Sequence, residues 1–236
     1  MYKAIIFDIG DTLLERYPNQ AQIYLDRLKV LDLDTNDITV EIISKALEKA
    51  ANGQIAKEQN GAPRMSDEDF SIMLDMAAIN CVVSISDVSS YLQKLKAIPF
   101  PEQVLRVIPG AVETLDALKK RRFRLAVVSN YDAGLPRFLE QIGLADFFET
   151  IVVSGVVGVE KPDIRIMQIA LDRLSLRASE CLYVGDHPFD VLCAKKAGMD
   201  CAWLTAPDDV LPDSVPYKED YRIGKLEELL FIRGIC

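Results

Sequence analysis

The chain of 236 residues is expected to be an α/β protein, a parallel-sheet core interrupted by an all-helical insertion. Three observations carry this. Short apolar runs bounded by turn residues recur at 3–8, 123–129, 149–153, 180–185 and 200–204. Helical patterns separate the later runs, and strand–helix alternation of that kind builds a parallel sheet with right-handed crossovers. Residues from about 15 to 103 break the rhythm and read as helix throughout.

The first run, Ile5-Ile6-Phe7, ends in Asp8. Within the insertion, Gln20 to Leu31 is amphipathic, and Ile38, Ile42, Ala46, Leu47 and Ala50 recur at helical spacing. Ser66-Asp67-Glu68-Asp69 has the form of a capping box opening a third helix through Met73, Met76 and Ala77, and Asp87 to Ala97 suggests a fourth. The polar stretch Lys57 to Arg64, with Asn60, Gly61 and Pro63, is expected to be a mobile tip, with Lys57, Asn60 and Arg64 as candidate lid residues. In the core, Ala111, Leu115 and Leu118 share one face of a helix that follows Pro109-Gly110. Further helices are expected from near Leu135, from Asp163 through Leu174, from Pro188 through Ala197 and around Leu226 to Phe231.

Charge narrows the function. The balance of 27 basic and 36 acidic side chains leaves −9, which repels nucleic-acid backbones and anionic lipid surfaces. A small anionic substrate requires a metal ion and local cations to overcome that field. The five cysteines, Cys81, Cys181, Cys193, Cys201 and Cys236, form no C-x-x-C pair and read as reduced core thiols. With no signal-like opening and no apolar run long enough to span a bilayer, a cytoplasmic protein is expected. Oligomeric state is not legible.

Four segments fall at the carboxyl ends of expected strands or on the loops that follow: Asp8 with Gly10, Asp11 and Thr12; Ser129-Asn130; Lys161-Pro162; and Gly185-Asp186-His187-Pro188-Phe189-Asp190. Strand ends of an open parallel sheet share one edge, where ligands bind. Singly, each has a bland explanation: a turn cap, loop chemistry, a solvated lysine, or aspartates at a helix start. Their occurrence in order, each at a strand end or on the loop after it, is harder to explain that way.

This ordered set resembles the four signatures of the haloacid dehalogenase superfamily, over residues 1–14 and about 104–232, and the helical insertion is similar to the cap of its helical-cap subfamily. The resemblance implies a Rossmann-like core domain of 1–14 and 104–236, a helical cap domain of 15–103, and magnesium beside an aspartate that becomes phosphorylated. It implies Asp8 as nucleophile; Asp8, the Gly10 carbonyl and Asp186 at the metal, with Asp190 supporting them; Ser129 and Asn130 on the phosphate; and Lys161 offsetting the charge. The substrate would be a small phosphorylated metabolite, selected by cap closure. The residue types suit this: phosphoryl transfer asks mainly for alignment and neutralisation of oxygens, and magnesium takes sparse oxygen ligands with waters retained.

One position departs from the pattern. Phosphatases of the superfamily carry a second aspartate, a general acid and base, two positions after the nucleophile, where this chain has Gly10. Such a group is worth roughly 10²- to 10⁴-fold in rate. Four alternatives stand open: Asp11 takes over the proton transfer; the substrate has a good leaving group; a cap lysine (Lys45, Lys49 or Lys57) forms a Schiff base for C–P cleavage; or catalysis is weak or lost and the fold persists as a binding or regulatory module. His187, the sole histidine, is read as a polar loop residue and Trp203 as core.

Overall fold

A computed structural model describes residues 1–59, 62–63, 65–84 and 87–235. The candidate lid residues Asn60 and Arg64, with Gly61 and Cys236, lie outside them. The chain forms two compact units, Met1–Glu15 with Arg106–Cys236, and Arg16–Leu105.

The chain opens with strands β1 (Ala4–Phe7) and β2 (Leu14–Tyr17), continues through helices α1 (Gln20–Val30), α2 (Val40–Gln59), α3 (Asp67–Ile79) and α4 (Val88–Lys96), and then reaches β3 (Val104–Val107). There follow α5 (Ala111–Lys120), β4 (Arg124–Ser129), α6 (Leu135–Gln141), β5 (Thr150–Val153), α7 (Ser154–Val157), α8 (Arg165–Leu174), β6 (Cys181–Gly185), α9 (Pro188–Ala197), β7 (Asp200–Leu204) and β8 (Tyr221–Ile223).

In the first unit, six strands form one parallel sheet in the order β5-β4-β1-β6-β7-β8. Alternation along each strand divides the core between the two faces. Ile5, Phe7, Leu125, Val127, Leu182 and Val184 pack with Leu115, Leu118, Leu135 and Leu139 of α5 and α6. Ala4, Ile6, Ala126, Val128, Tyr183 and Trp203 pack with Ile166, Met167, Ala170 and Leu174 of α8 and Val191 and Ala194 of α9. Burial on both faces explains why the central strands read as unbroken apolar runs.

Three features differ from expectation. β8 is an additional edge strand, and β2 and β3 form a separate two-stranded sheet. The segment Leu226–Phe231 is a 3₁₀ helix. Its buried residues Leu226 and Leu229, followed by Ile232, recur every third position, the period of a 3₁₀ turn, so this winding buries all three.

The second unit is a helical cluster around Tyr24, Leu28, Ile43, Leu47, Ala78, Ile79 and Leu95. Asn19 caps α1 through Ala21 N–H, and Ser66 caps α3 through Asp69 N–H. The buried Arg27 guanidinium ties its elements together. It donates to the carbonyls of Leu95 (2.7 Å) and Ile98 (3.1 Å) and lies over the rings of Tyr24 and Phe100. Cys181, Cys193 and Cys201 are buried free thiols and Cys81 is half-buried. Among the described residues, no helix is long and apolar enough to cross a membrane.

Candidate active site

β1 delivers Asp8 to the carboxyl edge of the sheet, where its N–H donates to the carbonyl of Val184 on the neighbouring β6 at 2.8 Å. The chain then folds back sharply. Leu13 and Leu14 donate to Ile9, Asp11 N–H donates to Leu14 at 2.7 Å, and Asp11 sits in the left-handed region at φ 49°, which aspartate tolerates better than most residues. Ser129 ends β4, one strand away on the other side of β1. Asp186 and His187 form the turn after β6, and Asp190 lies in the first turn of α9.

Lys161 draws these ends together. Its Nζ stands 2.9 Å from Asp8 Oδ1, 2.6 Å from Asp190 Oδ1 and 3.1 Å from the Tyr183 hydroxyl. All are buried: relative exposure is 8% for Asp8, 1% for Ser129, 5% for Lys161 and 0% for Asp190 and Tyr183. Asp190 Oδ2 accepts the N–H of His187 at 3.0 Å, and His187 Nδ1 accepts Phe189 N–H at 3.1 Å, so the two residues cap α9 reciprocally. Asp186 is fixed at two points: Thr12 donates to its Oδ1 at 2.9 Å, and the Trp203 indole donates to its carbonyl at 2.6 Å. Gly185 is required by close approach, since a Cβ there would stand 2.7 Å from Cβ of Asp190.

The charges are mutually dependent. Burial raises the pKa of Asp8; Lys161 opposes this and Asp190 reinforces it, while a Ser129 hydrogen bond also opposes it. Burial raises Asp186 further, with the nearby Asp190, Asp8 and Asp11 carboxylates adding to the shift. For Lys161 burial favours loss of the proton, but Asp190 and Asp8 outweigh it and hold the pKa above the ordinary value. The ammonium is therefore permanent at neutral pH, next to carboxylates that desolvation makes reluctant to ionise together.

The haloacid dehalogenase-like hydrolase family model matches residues 5–204. The chain belongs to that family. A curated relative, the pyrophosphatase PpaX of Bacillus velezensis, is 26% identical over 233 residues, covering 98% of this chain and 96% of that protein. The phosphoglycolate phosphatase of Rhodospirillum rubrum is 31% identical over 202 residues, covering 84% and 78%. Among solved structures, the HAD-hydrolase YfnB from Bacillus subtilis bound to magnesium superposes with a TM-score of 0.62 at 23% identity, covering 98% and 97% of the two chains, a likeness of fold.

In this haloacid dehalogenase-like hydrolase the donors at the edge fit a hard cation. One carboxylate oxygen from each of Asp8, Asp186 and Asp190 lies within 4.8 Å of the others, and Asp8 Oδ1, although ion-paired with Lys161, has no aligned hydrogen bond among the described residues. The oxygens do not have equal spare capacity. Both oxygens of Asp190 are engaged, by Lys161 and Tyr183 on one side and His187 N–H on the other. Asp190 is therefore the most heavily shared of the three carboxylates that could hold the ion, and it is also the partner of Lys161. Gly10, two residues beyond Asp8, offers only its main chain.

The Asn130 side chain is used within the protein: its Nδ2 donates to the Lys161 carbonyl at 2.9 Å and its Oδ1 accepts the Lys161 N–H at 2.7 Å, so the side-chain amide holds the lysine loop. Asp11 is exposed, and its charge is felt at Asp186. Sequence reasoning missed Tyr183, read as part of an apolar run, and the polar work of Trp203. The available signal was a lone phenol in Cys181-Leu182-Tyr183-Val184, two residues before Gly185.

Proposed function

We propose that this hydrolase cleaves phosphate esters of a small metabolite through attack of Asp8 on phosphorus, with magnesium held by Asp8, Asp186 and the Gly10 carbonyl. The observation that carries the reading is the buried Lys161 ammonium 2.9 Å from Asp8 Oδ1, on the same sheet edge as Ser129 and Asp186. A permanently charged lysine offsets the repulsion between a carboxylate nucleophile and an anionic phosphoryl group. In the first step an Asp8 oxygen bonds to phosphorus as the bond to the leaving oxygen breaks. In the second, water attacks the aspartyl-phosphate, giving inorganic phosphate and restoring the carboxylate. Ser129 and main-chain amides hold the phosphoryl oxygens, and Thr12 and Trp203 hold Asp186 in place. When bound, magnesium neutralises charge on those oxygens. The relatives named as phosphatases and the magnesium-bound structural neighbour support the assignment.

One feature favours a restricted version. Gly10 supplies no side chain to protonate a leaving group, so substrates that depart as stable anions, such as acyl phosphates or phosphoanhydrides, are the better candidates; the Bacillus relative is named a pyrophosphatase. A weakly active or binding module is the limit of the same idea. Schiff-base C–P chemistry is disfavoured at Lys45, which is ion-paired with Glu41 at 2.8 Å on an exposed helical face.

The test is turnover of para-nitrophenyl phosphate and acetyl phosphate with magnesium. Wild-type protein is expected to hydrolyse at least one, with activity lost in Asp8→Asn and on chelation. Equal rates for wild type and Asp8→Asn would reject the reading.

A further inference from the structure

We infer that Tyr183 is a positioning residue of this site, whose phenol sets where the Lys161 ammonium stands. The inference rests on Lys161 meeting the phosphoryl group, as proposed above.

An ammonium has three donors and no acceptor. At Lys161, three oxygens surround it: Asp190 at 2.6 Å, Asp8 at 2.9 Å and the Tyr183 hydroxyl at 3.1 Å. Asp190 and Tyr183 are wholly buried, and the Asp8 contact is an ion pair without hydrogen-bond alignment. Two donors are thus held by fixed internal groups, which leaves the third for Asp8 and for whatever anion arrives beside it.

Tyr183 also fixes its own oxygen. It lies 2.9 Å from the Val128 carbonyl and 3.0 Å from Asp190 Oδ1. A phenol has one proton, so it cannot donate to both acceptors at once. Donation to Val128 ties the lysine cluster to the strand residue immediately before Ser129. Three segments, β4, the Lys161 loop and the β6–α9 turn, therefore meet at one oxygen. Packing alone does not call for a hydroxyl here: Tyr183 stands in an apolar run, where a phenylalanine ring would bury the same face without desolvating a phenol. The electrostatics agree with this placement, since burial and the nearby Asp190 and Asp8 carboxylates raise the Tyr183 pKa well above its usual value and keep the phenol protonated.

The experiment is a double-mutant cycle read by calorimetric binding of inorganic phosphate in the presence of magnesium, using wild type, Tyr183→Phe, Lys161→Met and the double variant. Tyr183→Phe is expected to weaken phosphate binding about ten-fold in the wild-type background, the scale of a hydrogen bond to a charged group, and to leave it within roughly two-fold in the Lys161→Met background. Equal losses in both backgrounds, or no loss in either, would overturn the inference. A second measurement needs no Tyr183 variant. A lysine ammonium with two donors held by the buried Asp190 and Tyr183 oxygens should give a resolved ¹H–¹⁵N signal at neutral pH, assigned by its disappearance in Lys161→Met, and its absence from wild-type protein would count against the inference. Wild-type protein that binds no phosphate would overturn this inference and the proposed function together; phosphate binding unmoved by Tyr183→Phe would overturn this inference alone.

Discussion

Asn130 grips the main chain of Lys161 with both edges of its amide, donating to the carbonyl at 2.9 Å and accepting the N–H at 2.7 Å. The lysine loop has no regular structure at this point, so the clamp substitutes for a ladder. Asn130→Ala removes two hydrogen bonds and is expected to cost about 1–3 kcal/mol of stability. It should also lower kcat/KM, because Lys161 loses its fixed register. Asn130→Asp keeps one bond but faces the Lys161 carbonyl with a second oxygen, so it should be no better than alanine. Urea unfolding with parallel kinetics checks both variants; an alanine variant matching wild type in stability and rate would show that the clamp is dispensable.

Asp190 has a larger expected effect. Its carboxylate accepts from Lys161 and from the His187 N–H, beside the Tyr183 hydroxyl and with no exposure to water. Asp190→Ala leaves a buried ammonium with Asp8 as its one carboxylate partner among the described residues, and breaking a buried pair this way costs about 3–5 kcal/mol. Asp190→Asn preserves shape and part of the hydrogen bonding and should cost less. Chemical denaturation would order the three proteins wild type, asparagine, alanine; an alanine variant as stable as wild type contradicts the arrangement.

The acidic cluster predicts how stability depends on pH. Asp8 and Asp186 both have folded-state pKa values raised above the ordinary 3.8, mainly by burial. Between the unfolded and folded values the folded state binds more protons, so stability falls as pH rises through that window. A divalent cation reverses this by favouring the carboxylates. In chelator, unfolding curves should therefore show these two groups contributing most below about pH 4 and progressively less above it. Added magnesium should raise the melting temperature at neutral pH and have little effect at low pH. Asp186→Asn should flatten the chelator profile and abolish the magnesium shift; a shift that survives this substitution would place the cation elsewhere.

The sheet was legible because a parallel strand buried on both faces is apolar along most of its length, as the central strands β1, β4 and β6 are. β8 was not, since Tyr221-Arg222-Ile223 is a three-residue edge strand with an exposed arginine, below the length at which alternation can be read. The gathering of Asp8, Ser129, Lys161 and Asp186 was expected because the carboxyl ends of parallel strands share one edge and because the four segments resemble an ordered set of signatures. The partners of each side chain did not. Asn130 and Lys161 are 31 residues apart, and their pairing is set by the path of a loop with no periodicity. Tyr183 looked apolar because its ring is, and only coordinates reveal what its hydroxyl meets.

Gly10 offers the sharpest test of the chemistry. A Cβ built there meets nothing within 4 Å, and its backbone lies outside the left-handed region that would demand glycine. A Cβ is therefore accommodated at this position, and neither backbone conformation nor close approach at that atom demands glycine. Gly10→Asp would place a carboxylate where the resemblance puts a general acid and base. For alkyl phosphates, whose leaving alkoxide needs a proton, turnover should rise by about 10²-fold or more. With acetyl phosphate, departure needs no proton and the first step gains little, so any gain reports on water attack at the phosphorylated Asp8. Rapid-quench measurement of phosphoenzyme separates the cases. Wild type should accumulate the intermediate and Gly10→Asp should deplete it. If the variant folds yet gives unchanged turnover on both substrate classes, Asp11 or another group already performs the proton transfer.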